Sequence, residues 1–219
     1  MSAAAPQVVV RGEAMLIVDP EVADVHVTVQ VRARDRQTAL ERCAARQAEV
    51  TRLLSSAADA VEHLQTTGVS VQLEVRDRRA PGEPVASVHT EVTVSRLDLV
   101  GELFVALGRL DDVEVSGPVW RLRPDSPAVE RARSDAVRDA VRRARQYAAA
   151  FGAELTALVE VADDGVSGAG LRVAVAADSM ARFGSSDIHL DLMPARQEVL
   201  GAVAVRFSMS EPDQEVFRA

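Results

Sequence analysis

Asp187-Ile188-His189-Leu190-Asp191 carries the most ligand-like spacing in the chain. On a strand, alternate residues share a face, so two carboxylates and an imidazole would point the same way. Such a donor set suits a divalent ion. A polar loop with an ordinary histidine is the simpler reading, because short motifs recur by chance. No metal is therefore assigned, and Asp187, His189 and Asp191 stand as the candidates should one bind. His26 and His89 fall on the polar faces of valine-rich segments and could lie side by side. A stable metal site needs further ligands and an outer layer of hydrogen bonds, so exposed strand positions explain both more simply. His63 is placed near the end of a long helix, where positive charge suits the macrodipole.

Nucleophiles and phosphate cradles give less. Gly165-Val166-Ser167-Gly168 resembles a nucleophile elbow only in part, because Ala169 occupies the position of the second glycine. Gly168-Ala169-Gly170 does not open a helix after a strand, and no Walker loop is present. Cys43 falls on the apolar stripe of a helix, as a small core residue does. As the single cysteine it also excludes an intramolecular disulfide or a multi-cysteine zinc site. No catalytic residue and no cofactor are assigned, and the chain is read as a protein that is not an enzyme.

Composition narrows the partners. The 219 residues carry 25 basic and 33 acidic side chains, for a net charge of −8, and every basic residue is arginine. Such a surface repels phosphate backbones and anionic lipid unless it carries a local basic patch. Aromatic residues make up 3%, too few for a stacking platform, so nucleic acid is not expected as a partner. Arg131, Arg133, Arg138, Arg142, Arg143 and Arg145 crowd one helix, but Asp135 and Asp139 lie within i,i+3 or i,i+4 reach of several of them. A solvated, ion-paired face is the ordinary explanation, and an anion or partner site the sharper one. No apolar run approaches a membrane span, so no membrane insertion is expected. The opening Met1-Ser2-Ala3-Ala4-Ala5-Pro6 has neither a basic nor an apolar leader, which gives the expectation of a cytoplasmic protein.

The elements that must position these residues follow from periodicity. Gln7 to Val18 predicts a strand, broken at Asp19-Pro20. Val25, Val27, Val29 and Val31 alternate with His26, Thr28, Gln30 and Arg32, the pattern of a half-buried antiparallel strand. From Asp35 to Leu64 the period is helical, with Asp35 as N-cap. Val69 to Val75 and Val88 to Val94 predict two strands of a hairpin, and Ser95 caps a short helix to about Leu107. Val113 to Leu122 predicts a strand with a bulge or bend at Gly117-Pro118. Ser126, Pro127 and Gly152 punctuate a helix over 127–151 whose stripe includes alanines, Val137 and Tyr147. Leu155 to Val161 and Val199 to Phe207 predict the last strands. Between them, 163–197 is glycine-rich and long for a connection, and it is expected to be a mobile loop cut first around Gly165–Gly170 or Arg182–Ser186. The order predicts an α+β fold, a mostly antiparallel sheet with helices packed on one face.

Four landmarks in sequence resemble the SIMPL-domain family. They are Val8-Val9-Val10-Arg11-Gly12-Glu13-Ala14 with Val18-Asp19-Pro20-Glu21-Val22-Ala23, then Gln65-Thr66-Thr67-Gly68-Val69-Ser70. Val115-Ser116-Gly117-Pro118 and the helix through Ala140-Val141-Arg142-Arg143-Ala144-Arg145 to Phe151-Gly152 complete the set. The resemblance implies one SIMPL-like domain over 7–209, holding the 163–197 loop, with 1–6 and 210–219 as flexible tails. It also implies a bacterial protein that self-associates, since some members form large hollow oligomers, and that takes part in stress responses. Many relatives are exported. The family offers no agreed catalytic residues. The reading it leads to is a non-enzymatic, self-associating scaffold or stress-related binding protein, with a homo-oligomer and a protein partner expected. The alternatives are a metal- or ligand-dependent stress-response enzyme using 187–191, and a signalling adaptor that recruits a protein partner.

Overall fold

The computed structural model describes residues 5–74, 82–163 and 189–218. Over these residues the chain forms two compact units, each an antiparallel sheet with helix packed on it, and together an α+β fold. The domain expected over 7–209 contains both.

The first unit takes residues 5–18, 124–163 and 196–218. Strands β1 (Gln7–Val18), β6 (Leu155–Asp163) and β7 (Gln197–Met209) pair in the order β1-β7-β6, and helix α3 (Pro127–Ala150) lies on one face. The Ser126 hydroxyl accepts from the Ala128 amide, Pro127 occupies the first turn, and Gly152 leaves the helix at φ +64. Only alanines bury fully along α3: Ala132, Ala136, Ala140, Ala144 and Ala148. Alanine is the best helix former and has almost no side chain to hold a neighbour away. The sheet answers with glycine. A Cβ on Gly12 would meet the Ala136 carbonyl oxygen and lie 2.6 Å from the Ala140 amide nitrogen. One on Gly201 would meet the Ala132 carbonyl and lie 3.0 Å from the Arg133 nitrogen. Val137 and Tyr147, expected in the buried stripe, are instead 44% and 56% exposed, because the seam is only one alanine row wide. Val10, Val203, Val205 and Phe207 complete the core.

The second unit takes residues 19–74, 82–123 and 189–195. Strands β2 (Val22–Arg32), β3 (Val61–Glu74), β4 (Glu83–Val94) and β5 (Val113–Arg121) pair in the order β3-β4-β2-β5. Helices α1 (Arg36–Ser56) and α2 (Val100–Gly108) share a core with Val25, Val27, Val29 and Val31, so the predicted alternation of β2 is the core face. Asp35 caps α1 by accepting from the Thr38 amide at 2.7 Å. Gln47, the polar member of the expected stripe, donates to the buried Thr90 hydroxyl at 3.1 Å.

Three boundaries differ from expectation, each because a strand claims the backbone. α1 ends at Ser56 rather than Leu64: turns through Ala57–Ala60 lead into β3, where Val61 pairs with Val94 and Leu64 with Val92. His63 therefore lies on a strand, not near a helix end. The Ser95 hydroxyl donates to the Ala60 carbonyl instead of capping, and a 3-10 turn over Leu97–Leu99 precedes α2. The expected irregularity at Gly117-Pro118 is a register break opposite Val25, with Gly117 at φ +109.

The glycine-rich stretch 164–188, with its expected mobility and cleavage points, lies outside the described residues. Residues 189–196 form neither helix nor strand. Leu192 and Ala195 pack on the core of the second unit, and Leu190 crosses α2 at Gly101, where a Cβ would collide with the Leu190 carbonyl. Residues 210–218, expected as a tail, carry a 3-10 helix over Gln214–Arg218, with Phe217 stacked on Phe151 at 6.2 Å between ring centres.

The glycine–alanine seam yields a paired test. Gly12→Ala should lower stability by about 2–3 kcal/mol, since its methyl group meets backbone that has nowhere to go. Gly108→Ala, with open space at its Cβ, should be neutral or slightly stabilising. Urea denaturation followed by far-ultraviolet circular dichroism reads both; equal midpoints would refute the seam.

Candidate functional site

The helix-free face of the four-stranded sheet gathers His26, His63 and His89. His26 sits directly opposite Glu91 across β2 and β4, and Thr28 opposite His89. His26 and His89 are thus diagonal neighbours, near but not paired. His89 and His63 each meet a neutral side chain. His89 Nδ1 lies 3.1 Å from the Thr28 hydroxyl, and His63 Nε2 lies 3.4 Å from Gln65 Oε1. Gln65 in turn donates to Glu91 at 2.8 Å. Among the described residues no three His, Cys, Asp or Glu side chains are grouped to hold a metal ion. His189 and Asp191 are both exposed, and Asp187 lies outside the described residues. The alternation that would align this set needs a strand, which 189–191 do not form.

Cys43 is a core residue. It is 2% exposed, its thiol lies 4.0 Å from the Val29 carbonyl oxygen, and burial, helped by the charge of Asp112, pushes its pKa up. A raised thiol pKa opposes nucleophilic or redox work.

One charged contact on the sheet was not legible in sequence. Asp24, buried at the start of β2, accepts from both arms of Arg121, with Nη2 at 2.8 Å from Oδ1, and from the Thr93 hydroxyl at 2.9 Å. Burial by itself raises the carboxyl pKa, but the hydrogen bonds from Arg121 and Thr93 and the charges of Arg121 and His26 together hold it below the ordinary value. Nearby, Arg123 binds Glu62 at 2.5 Å, and its amide donates to Glu21 at 2.9 Å. These contacts tie β2, β3 and β5 at one end of the sheet.

Both edges of the three-stranded sheet expose apolar side chains, Val9, Met15 and Ile17 on β1 among them, and they differ in what meets their backbone. At β1, α3 supplies the missing neighbour: Asp139 accepts from the Glu13 amide at 3.1 Å, and Arg143 donates to the Arg11 carbonyl at 2.6 Å. The Glu13 amide, against a small burial penalty and helped by Arg142 and Arg143, keeps the Asp139 carboxyl ionised below its usual range. This side-chain pair imitates the donor and acceptor of an adjoining strand residue. At the other edge, no strand adjoins the far side of β6 among the described residues. Leu158, Val159 and Val161 are 59%, 47% and 56% exposed. Register breaks leave Thr156 and Val159 unmatched, after which Glu160–Asp163 pair regularly with β7. An open, apolar edge is a template for another chain.

The arginines of α3 are mostly ion-paired, as the ordinary reading holds. Arg138 binds Asp135 at 2.7 Å, Arg131 reaches the same carboxylate at 3.9 Å, and Arg142 and Arg143 meet Asp139. Arg133 and Arg145 pair with no carboxylate among the described residues.

Asp24 makes stability pH-dependent in a defined direction. Its folded pKa lies below the unfolded value of about 3.9, so its contribution is complete above that pH and lost as pH falls through the folded value. Arg121→Ala should cost about 2–3 kcal/mol at pH 7, because a buried carboxylate loses its partner. The gap to the unsubstituted protein should narrow as pH falls below the unfolded value and close only below the lower folded value, where Asp24 is neutral. Chemical denaturation from pH 3 to pH 8 checks this, and a pH-independent gap would contradict it.

No curated protein matches the chain. No described helix is long and apolar enough to cross a membrane. The SIMPL family model, described as a protein of unknown function (DUF541), matches residues 8–207, from the second residue of β1 to Phe207 of β7. The match takes in all seven strands and all three α-helices found among the described residues, and the chain belongs to the SIMPL family.

Proposed function

We propose that the protein is a non-enzymatic, self-associating scaffold that serves as a stress-related binding protein, with β6 as the strand through which copies meet. One observation carries the reading: two backbone groups on the edge of β1 are met by Asp139 and Arg143, while β6 presents Leu158, Val159 and Val161 to solvent on an edge that no strand adjoins among the described residues. Backbone donors and acceptors on such an edge gain partners when a second strand adds, and apolar side chains on both faces gain burial at the same time. β6 has nine residues, roughly 30 Å of strand at the usual rise, long enough for a continuous ladder. Val9, Met15 and Leu200 widen the exposed apolar surface of the same sheet, with Met15 directly opposite Leu200. Stable interfaces bury about 1,200–2,000 Å² in total, so strand addition needs such flanking area.

Light scattering at micromolar concentration should give a mass well above the 23.5 kDa of one chain. Val159→Lys with Val161→Lys, both at exposed positions, should shift the distribution toward one chain by about tenfold or more in dissociation constant without loss of helical signal. A strictly monomeric parent, or a double variant of unchanged mass, would overturn the proposal.

A further inference from the structure

The solvent face of α3 is oppositely charged to the chain that carries it. The helix holds six arginines against three carboxylates, in a protein of net charge −8. Val137, Arg138, Val141, Arg142, Arg145 and Gln146 line one hollow of its surface, about 14 Å long at 1.5 Å per residue. No acidic residue lines it. The valines stand one turn apart; Val137 is 44% exposed, while Val141 is partly buried against the core beneath the helix and shows only one side to the hollow.

From this arrangement we infer that the stripe is a docking surface for an acidic amphipathic segment of a partner protein, independent of the β6 edge. Charge complementarity selects the partner's carboxylates. Arg145 pairs with no carboxylate among the described residues, and Arg138 and Arg142 each use one arm on Asp135 and Asp139, leaving other donors of the five that a guanidinium carries. Exposed intrahelical pairs of this kind hold weakly and exchange readily. The valines select aliphatic side chains at helical spacing, which a phosphate backbone does not offer. Aromatic rings for stacking bases are absent from the stripe, which weighs against single-stranded nucleic acid. The segment that fits has Asp or Glu flanking Leu, Ile or Val at i and i+4.

The test uses the full chain and a fluorescein-labelled helical peptide of about 14 residues built from Glu, Leu and Ala, with Leu at i,i+4 spacing. Anisotropy should show saturable binding that weakens with added salt. Arg145→Glu, which breaks no internal ion pair, should weaken binding about tenfold, and Val137→Ser, at an exposed position, should weaken it by about threefold or more. Arg133→Gln, off the stripe, should leave it unchanged, and all variants should keep the parent melting curve. The inference is overturned if the peptide does not saturate, if a Lys-for-Glu version binds as well, or if a version lacking Leu binds as tightly. It is also overturned if labelled oligothymidylate binds more tightly and loses that binding in Arg145→Glu, which would assign the arginines to nucleic acid.

Discussion

Of five alanines buried at four-residue intervals along α3, Ala132, Ala136 and Ala140 meet two glycines of the sheet beneath them, and much of the first unit depends on that close approach. Methyl groups contribute little burial each, so stability here comes from density of contact and from a helix that forms at low cost. The same approach has a second consequence. Only a helix seated this near the sheet can bring Asp139 and Arg143 to the backbone of Glu13 and Arg11. Packing therefore meets the backbone of one edge at Arg11 and Glu13, while α3 covers β1 and β7 far more than β6. Fold and proposed association arise from one geometric cause.

The second unit rests on a different solution. Valines fill the core face of β2, and their β-branched side chains suit a pleated surface pressed against two helices. The opposite face is polar and holds its charge in local pairs. Asp24 is the exception, because it is buried, and Arg121 and Thr93 stabilise it where an unpartnered carboxylate would not persist. On the same face His89 meets a hydroxyl and His63 an amide, while His26 lies opposite Glu91 and acts on Asp24 through its charge.

Much of this was legible in sequence where one local force dominates. The alternation in β2, the Ser126–Pro127 start of α3 and the break at Gly117-Pro118 each follow from side-chain period or backbone restriction. Reading failed where a distant strand competed. Residues 57–64 carry a helical spacing, yet pairing with Val92 and Val94 draws them into β3, and His63 moves with them. Tyr147 and Val137 looked like core because their spacing matched the stripe; the narrow seam depends on Gly12 and Gly201, far away in the chain. Asp24–Arg121 and the sealing of β1 join residues about 97 and 126 positions apart, and no local signal announces either. The SIMPL resemblance supplied the frame, and the family match bears it out.

The most direct measurement of the central claim is hydrogen–deuterium exchange across a series of protein concentrations. If copies join through β6, amides in Leu158–Asp163 should gain protection as concentration rises, while those of Arg11–Glu13, already sealed by α3, should exchange at a constant rate. Concentration-independent exchange throughout β6, or protection gained at β1 instead, would contradict the account.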